Sequence, residues 1–176
     1  LTGMAISAAL TGMGGSLFAM YLRFVDPPTV LNIQDVGVKF LLISLIGGRI
    51  IPSFTRNWLV RENPGRLPAP FGRFDMAVVA ITALTLLSWI VNSDSRLTGT
   101  ALALAGLLHL GRLARWAGDR TFRERLLLIL HVGYAFVPLG FLLTGASTWL
   151  AAVPPSAGIH AWTAGAVGLM TLAVMT

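Results

Sequence analysis

Hydrophobic positions along this chain fall into six runs, at about residues 2–22, 36–54, 75–92, 98–115, 126–146 and 157–176, with short polar breaks between them. A helix of roughly 20 apolar residues crosses a bilayer, so each run predicts a membrane span. The pattern predicts an all-α, polytopic transmembrane bundle forming one helical domain over residues 1–176. Gly14-Gly15 would loosen the first helix. Pro52 predicts an end or a kink in the second helix and Pro138 a kink in the fifth, since proline lacks the amide a helix needs.

Composition strengthens this picture. Hydrophobic residues make up 55% of the chain and charged residues 11%, with a mean hydropathy of +0.76; a soluble domain carries about 25% charged residues. The net charge of +6 comes from 13 basic residues, all arginine except Lys39. Because the arginines sit in short loops between apolar runs, they point to a membrane surface and not to nucleic acid. The loops around 55–74 and 112–125 hold Arg56, Arg61, Arg66, Arg73, Arg112, Arg115, Arg120, Arg123 and Arg125, while the alternate loops hold only Arg23 and Arg96. That alternation places the two arginine-rich loops on the cytoplasmic side of the membrane. The second of them also predicts an anchor on anionic lipid heads. Trp58, Trp89, Trp116 and Trp149 fall near span ends, as an interfacial belt would. The chain starts at Leu1 without a methionine and stops at Thr176 inside an apolar run. We therefore expect a piece of a larger protein whose further helices are partners of these.

Small residues recur every fourth position in the first span (Ala8, Gly12, Ser16) and in the last (Ala161 with Gly165, Ala164 with Gly168). Such stripes let helix backbones approach closely in lipid. With no cysteine, disulfides and thiolate metal sites are excluded, leaving histidine as the natural ligand.

All three histidines lie inside apolar runs. An ionisable side chain there usually faces the protein interior, as a ligand, a relay or a packing pivot. His109 and His131 sit on consecutive antiparallel spans, roughly 5–9 Å below the arginine-rich interface at ~1.5 Å rise per residue. They are candidate haem-iron ligands, with Ala105 and Gly106 leaving room for a flat group beside the His109 ring. Equally, each could hydrogen-bond a neighbouring carbonyl and stabilise packing. His160 lies near the opposite end of the last span. With Met20 it makes a possible copper site, thioether and imidazole both suiting that metal. Arg49, next to Gly47-Gly48, calls for a partner such as Asp75, a haem propionate, or a snorkelling route to the surface. Arg112 is a second candidate for a propionate. No phosphate loop, zinc-protease helix or serine elbow is present, and no catalytic residue is assigned.

The blocks GGRIIPSFTRNWL, HLGRLARW, LHVGYAFVPLG and HAWTAGAVGLMTLAVMT resemble the NnrS family from about residue 36 to the end. That resemblance implies a bacterial inner-membrane protein associated with haem and copper and linked to nitric-oxide stress and denitrification. Onto this chain it carries Arg49, Arg56, Asn57, His109, Arg112, His131, Tyr134 and His160. The expectation is a haem-binding and copper-binding membrane protein of the nitric-oxide response. The competing expectation is a metal-free transporter or permease, with a midplane cavity lined by Arg49. A nitric-oxide-metabolising enzyme would further need an open iron position.

Overall fold

The computed structural model describes residues 33–175. Five helical segments in this range are long and apolar enough to cross a membrane. They are α1 (Ile33–Glu62), α2 (Arg73–Val91), α3 (Arg96–Ala114), α4 (Arg125–Ser147) and a composite last span. The last span runs through α5 (Ser156–His160), a π-helical stretch (Ala161–Gly168) and α6 (Leu169–Met175). The fold is all-α, as the hydropathy pattern predicts. The expected first span, 2–22, lies outside the described residues.

Helix α4 is central, packing on α3, on α1 and on all three parts of the last span. Its approach to α3 leaves no room for a side chain at Gly145. A Cβ on Gly145 would lie 2.6 Å from the Gly99 carbonyl and 2.9 Å from the Ala103 amide. Between lipid-soluble helices such contact, not hydrophobic drive, supplies the attraction. The core is aromatic: Trp162 meets Phe40, Trp89 and Phe141 at centroid distances of 4.5, 5.8 and 4.8 Å. Its indole N–H donates to the Val137 carbonyl at 2.9 Å, which satisfies the polar atom at the centre of that cluster. Leucines such as Leu84, Leu97 and Leu172 point outward, the surface a bilayer requires.

Several local expectations change. Helix α1 continues ten residues past Pro52 to Glu62, so this proline does not end it. Pro138 lies inside α4, within the helix the sequence expects for it. Trp89 and Trp116 are core residues at 5% and 1% exposure, not interfacial anchors, whereas Trp149 is exposed. Position near a span end is a poor guide because a short loop can fold back over the bundle, as the one carrying Trp116 does. In the last span Gly165 receives the Phe136 ring, but Ala164 is exposed. The π-helical turn widens the repeat there, so a four-residue spacing no longer marks one face.

Both arginine-rich loops lie at one end and are tied together. Arg120 donates to the carbonyls of Asn63, Pro64 and Arg66 at 3.0, 3.1 and 2.6 Å, and to Asn63 Oδ1 at 3.0 Å. Arg66 pairs with Asp119, and the Ala69 amide donates to the Arg115 carbonyl at 3.0 Å. Gly65, at φ +146°, makes the turn that presents these carbonyls. Part of the basic set expected on lipid heads is therefore spent inside the protein.

A buried arginine–tyrosine–histidine chain and a separate histidine pocket

The Gly47–Pro52 stretch of α1 builds the first half of the site. Proline at 52 has no amide, which leaves the carbonyl of Gly48, four residues back, without its helical partner. Gly48 has no side chain, and a Cβ there would overlap the Arg112 guanidinium. Arg112 of α3 fills the opening. Its Nη2 donates to the Gly48 carbonyl at 3.4 Å and its Nη1 to the Ser44 carbonyl at 2.8 Å.

Arg112 is fully buried, and Asp75 compensates its charge. Nε of Arg112 donates to Asp75 Oδ1 at 2.9 Å. Oδ2 of Asp75 accepts from Arg115 Nη1 at 3.4 Å and from the Gly72 amide at 3.1 Å, at the first turn of α2. A buried ion pair is tolerable only when its remaining donors and acceptors are met, and here they are. Asp75 is thus the partner of Arg112 and Arg115, not of Arg49.

From Arg112 a hydrogen-bond chain runs on with a fixed direction. Nη1 donates to the Tyr134 hydroxyl oxygen at 3.2 Å. Tyr134 OH lies 3.1 Å from His109 Nδ1, and His109 Nε2 lies 2.9 Å from Thr82 Oγ1 and 3.4 Å from Ser44 Oγ. Thr82 donates its own proton to the Val78 carbonyl at 2.7 Å, so its oxygen accepts from Nε2–H. Nδ1 is then the bare nitrogen, and Tyr134 donates to it. The sequence Arg112, Tyr134, His109, Thr82, Val78 thus assigns His109 the Nε2–H tautomer.

Both nitrogens of His109 are engaged, and the ring is completely buried. The flat group stacked on it is the protein's own Phe141, at 5.4 Å and 11°. The space beside Gly106 holds Leu142 and the Pro138 carbonyl. A haem clamped between His109 and His131 does not fit these side chains. The residue level with His109 on α4 is Tyr134, and His131 lies one turn nearer the loop.

His131 has different surroundings. Its Nδ1–H donates to the Leu127 carbonyl at 2.8 Å, while the buried Nε2 lies by the Trp116 backbone without a hydrogen bond of normal geometry. The ring packs on Gly118, where a Cβ would come within 2.6 Å of Cδ2, and edge-on to Trp116 at 6.4 Å. It borders a cavity of about 350 Å³ whose lining includes Ala114, Gly118, Phe122, Val132 and Ala135. Trp116 bridges the two histidine regions, its ring 4.5 Å from that of Tyr134. Among the described residues no three of histidine, aspartate and glutamate converge on one point.

His160 stands apart and exposed, its Nδ1–H donating to the Ser156 carbonyl at 2.7 Å. Met20 lies outside the described residues. Arg49 is exposed and lies 5.0 Å over the Phe71 ring. It lines a cavity between α1 and the 63–72 loop at the arginine-rich end, not a midplane one. Sequence reasoning did not select Ser44, Thr82 or Phe141. Ser44 and Thr82 are polar residues within otherwise apolar stretches, and that was the available signal.

Five apolar helices around a buried, charge-compensated polar chain define a polytopic helical membrane protein. The family follows from a direct comparison: the model described as NnrS protein matches residues 2–176. The chain belongs to the NnrS family. No curated protein and no solved structure matches it.

Proposed function

We propose that this protein serves the membrane response to nitric oxide and binds haem through His131. One observation carries the assignment to His131: its buried Nε2 makes no hydrogen bond of normal geometry, and the ring borders a cavity lined by small and apolar side chains together with Asp119. Membership of the NnrS family, with its association with haem and copper, supplies the cofactor class. Haem iron would provide the nitric-oxide or electron-transfer chemistry. Within the chain, the Leu127 carbonyl holds His131 Nδ1–H, which would leave Nε2 as the ligating atom, the usual device for orienting a metal-bound imidazole. His109, Tyr134 and Arg112 support the site from one turn away and do not ligate. On this reading the 63–72 and 115–124 loops face the cytoplasm of a bacterial inner membrane.

Copper at His160 is the second metal reading. Its Nδ1 is held by Ser156 and the ring is exposed, so Nε2 would be open to copper, with the Met20 thioether as a second ligand.

The test is the visible spectrum of the full-length protein after haem-replete expression. A Soret band is expected, reduced or shifted in His131→Ala, restored by added imidazole and retained in His109→Gln. Absence of the band, or indifference to His131→Ala, overturns the assignment. Elemental analysis of His160→Ala and Met20→Leu tests copper: unchanged content in both removes it.

A further inference from the structure

We propose that Arg49 and Arg56 form a binding site for a phosphate oxyanion at the arginine-rich end of the bundle. The two residues are seven apart on α1 and so share one face, about 10 Å apart along the axis. Pro52 and Ser53 lie between them, and Pro68, Ala69, Pro70 and Phe71 close the opposite wall around a cavity of about 350 Å³.

The wall is built, not incidental. Arg120 grips the loop by three carbonyls, Ala69 is tied to Arg115, and Phe71 lies under both Arg49 and Arg112, at 5.0 and 5.6 Å. Three prolines add stiffness. The cavity therefore exists before any ligand arrives, which lowers the cost of binding.

Charge balance points to an anion. Among the described residues neither Arg49 nor Arg56 makes an ion pair or a hydrogen bond. The acids at this end are otherwise committed: Asp75 to Arg112 and Arg115, Asp119 to Arg66, Glu124 to the Leu126 amide. Glu62 is six residues beyond Arg56, on another face of α1. Two guanidinium groups beside a hydroxyl of Ser53 are a donor set matched to phosphate oxygens. At a membrane surface that phosphate can be the headgroup of an anionic phospholipid or a free phosphate, and both share this chemistry.

The experiment uses the delipidated full-length protein and follows thermal unfolding during titration with phosphatidylglycerol, phosphatidylcholine or inorganic phosphate. A stabilising response to phosphatidylglycerol, at least about five-fold weaker in apparent affinity in Arg49→Gln/Arg56→Gln, supports the site with a lipid ligand. A response to inorganic phosphate with the same variant dependence supports it with a soluble ligand. Arg61→Gln and Arg73→Gln, on the same surface but outside the cavity, should keep the wild-type response. The proposal is overturned if neither ligand stabilises, if the double variant responds like wild type, or if the two control variants lose the response equally. Loss of the haem spectrum in the double variant, with the lipid response intact, also overturns it, because the arginines would then serve haem carboxylates.

Discussion

Arg112 occupies the hydrogen-bonding position that Pro52 vacates. The Gly48 carbonyl, deprived of an amide by Pro52, is met by Arg112 Nη2 at 3.4 Å, and the missing Cβ of Gly48 makes the approach possible. Helix α1 thereby absorbs a proline without ending, and α3 gains acceptors for a charge that lipid would not solvate. The GG and P of the GGRIIP block thus serve one purpose.

Gly48→Ala should therefore destabilise the protein strongly. The added methyl must displace a guanidinium that four partners hold, which breaks a buried charged network at a cost of about 3–5 kcal/mol. Gly47→Ala, whose Cβ would meet the Tyr134 ring at 3.3 Å, should cost clearly less. Reversible unfolding of detergent-solubilised protein separates the two. Equal effects would remove Arg112 from its place in α1's backbone.

Asp75 and Arg112 should behave as one unit in a double-mutant cycle. Asp75→Leu leaves Arg112 buried without its counter-charge, an expected loss of about 3–5 kcal/mol. Arg112→Met strands the carboxylate and should cost a similar amount. The variant with Asp75→Leu and Arg112→Met should lose far less than the sum, since an apolar pair of similar volume strands no charge. Additive losses would show that the pair is not coupled.

Much of the architecture was legible because bilayer thickness sets a length scale that hydropathy reports directly. The spans expected at 75–92 and 126–146 differ by two residues or fewer at each end from α2 and α4. The second span was read too short, because arginines after Ile50 looked like its end; Arg56 and Arg61 in fact continue α1 beyond the apolar stretch. The site was legible only in its residue types. Hydropathy says that His109 is buried, but not which way its ring points. Matched depth suggested His131 as its neighbour, whereas α4 is rotated so that Tyr134 takes that place. Trp116 was misread for a related reason: the 115–124 loop folds inward, and no periodicity survives in so short a segment. The glycines of GGRIIP did announce a close approach, though not its partner.

The histidines should be distinguishable by tautomer. His109 is assigned the Nε2–H form, since Thr82 accepts and Tyr134 donates. His131 and His160 carry the proton on Nδ1, each donating to a carbonyl four residues back. ¹⁵N spectra of histidine-labelled protein, assigned with His→Gln variants, should show His109 as a ring of the first kind and His131 as one of the second. Tyr134→Phe should perturb the His109 signal alone and cost about 1–3 kcal/mol, because it leaves Nδ1 buried without a donor. A His109 signal of the Nδ1–H type would reverse the bonds from His109 to Tyr134 and Thr82, Arg112 remaining a donor in either case.

Gly118 is the position from which His131 can be moved without touching its own chemistry. A Cβ there would stand 2.6 Å from the ring's Cδ2, so Gly118→Ala must rotate the imidazole or shift the loop. Overpacking of this kind costs about 1–3 kcal/mol, and it should weaken the bond from Nδ1–H to the Leu127 carbonyl. The His131 ¹⁵N resonances should shift while those of His109 stay in place. In haem-loaded protein the Soret band should move as it does in His131→Ala, though less. Gly111→Ala supplies the control, because its nearest neighbour is a Phe74 ring carbon at 3.8 Å and ordinary contact is all it would make. If Gly118→Ala leaves the His131 signals unchanged, the ring is not confined between Gly118 and the Leu127 carbonyl. The orientation of the ring beside the cavity would then have no fixed cause.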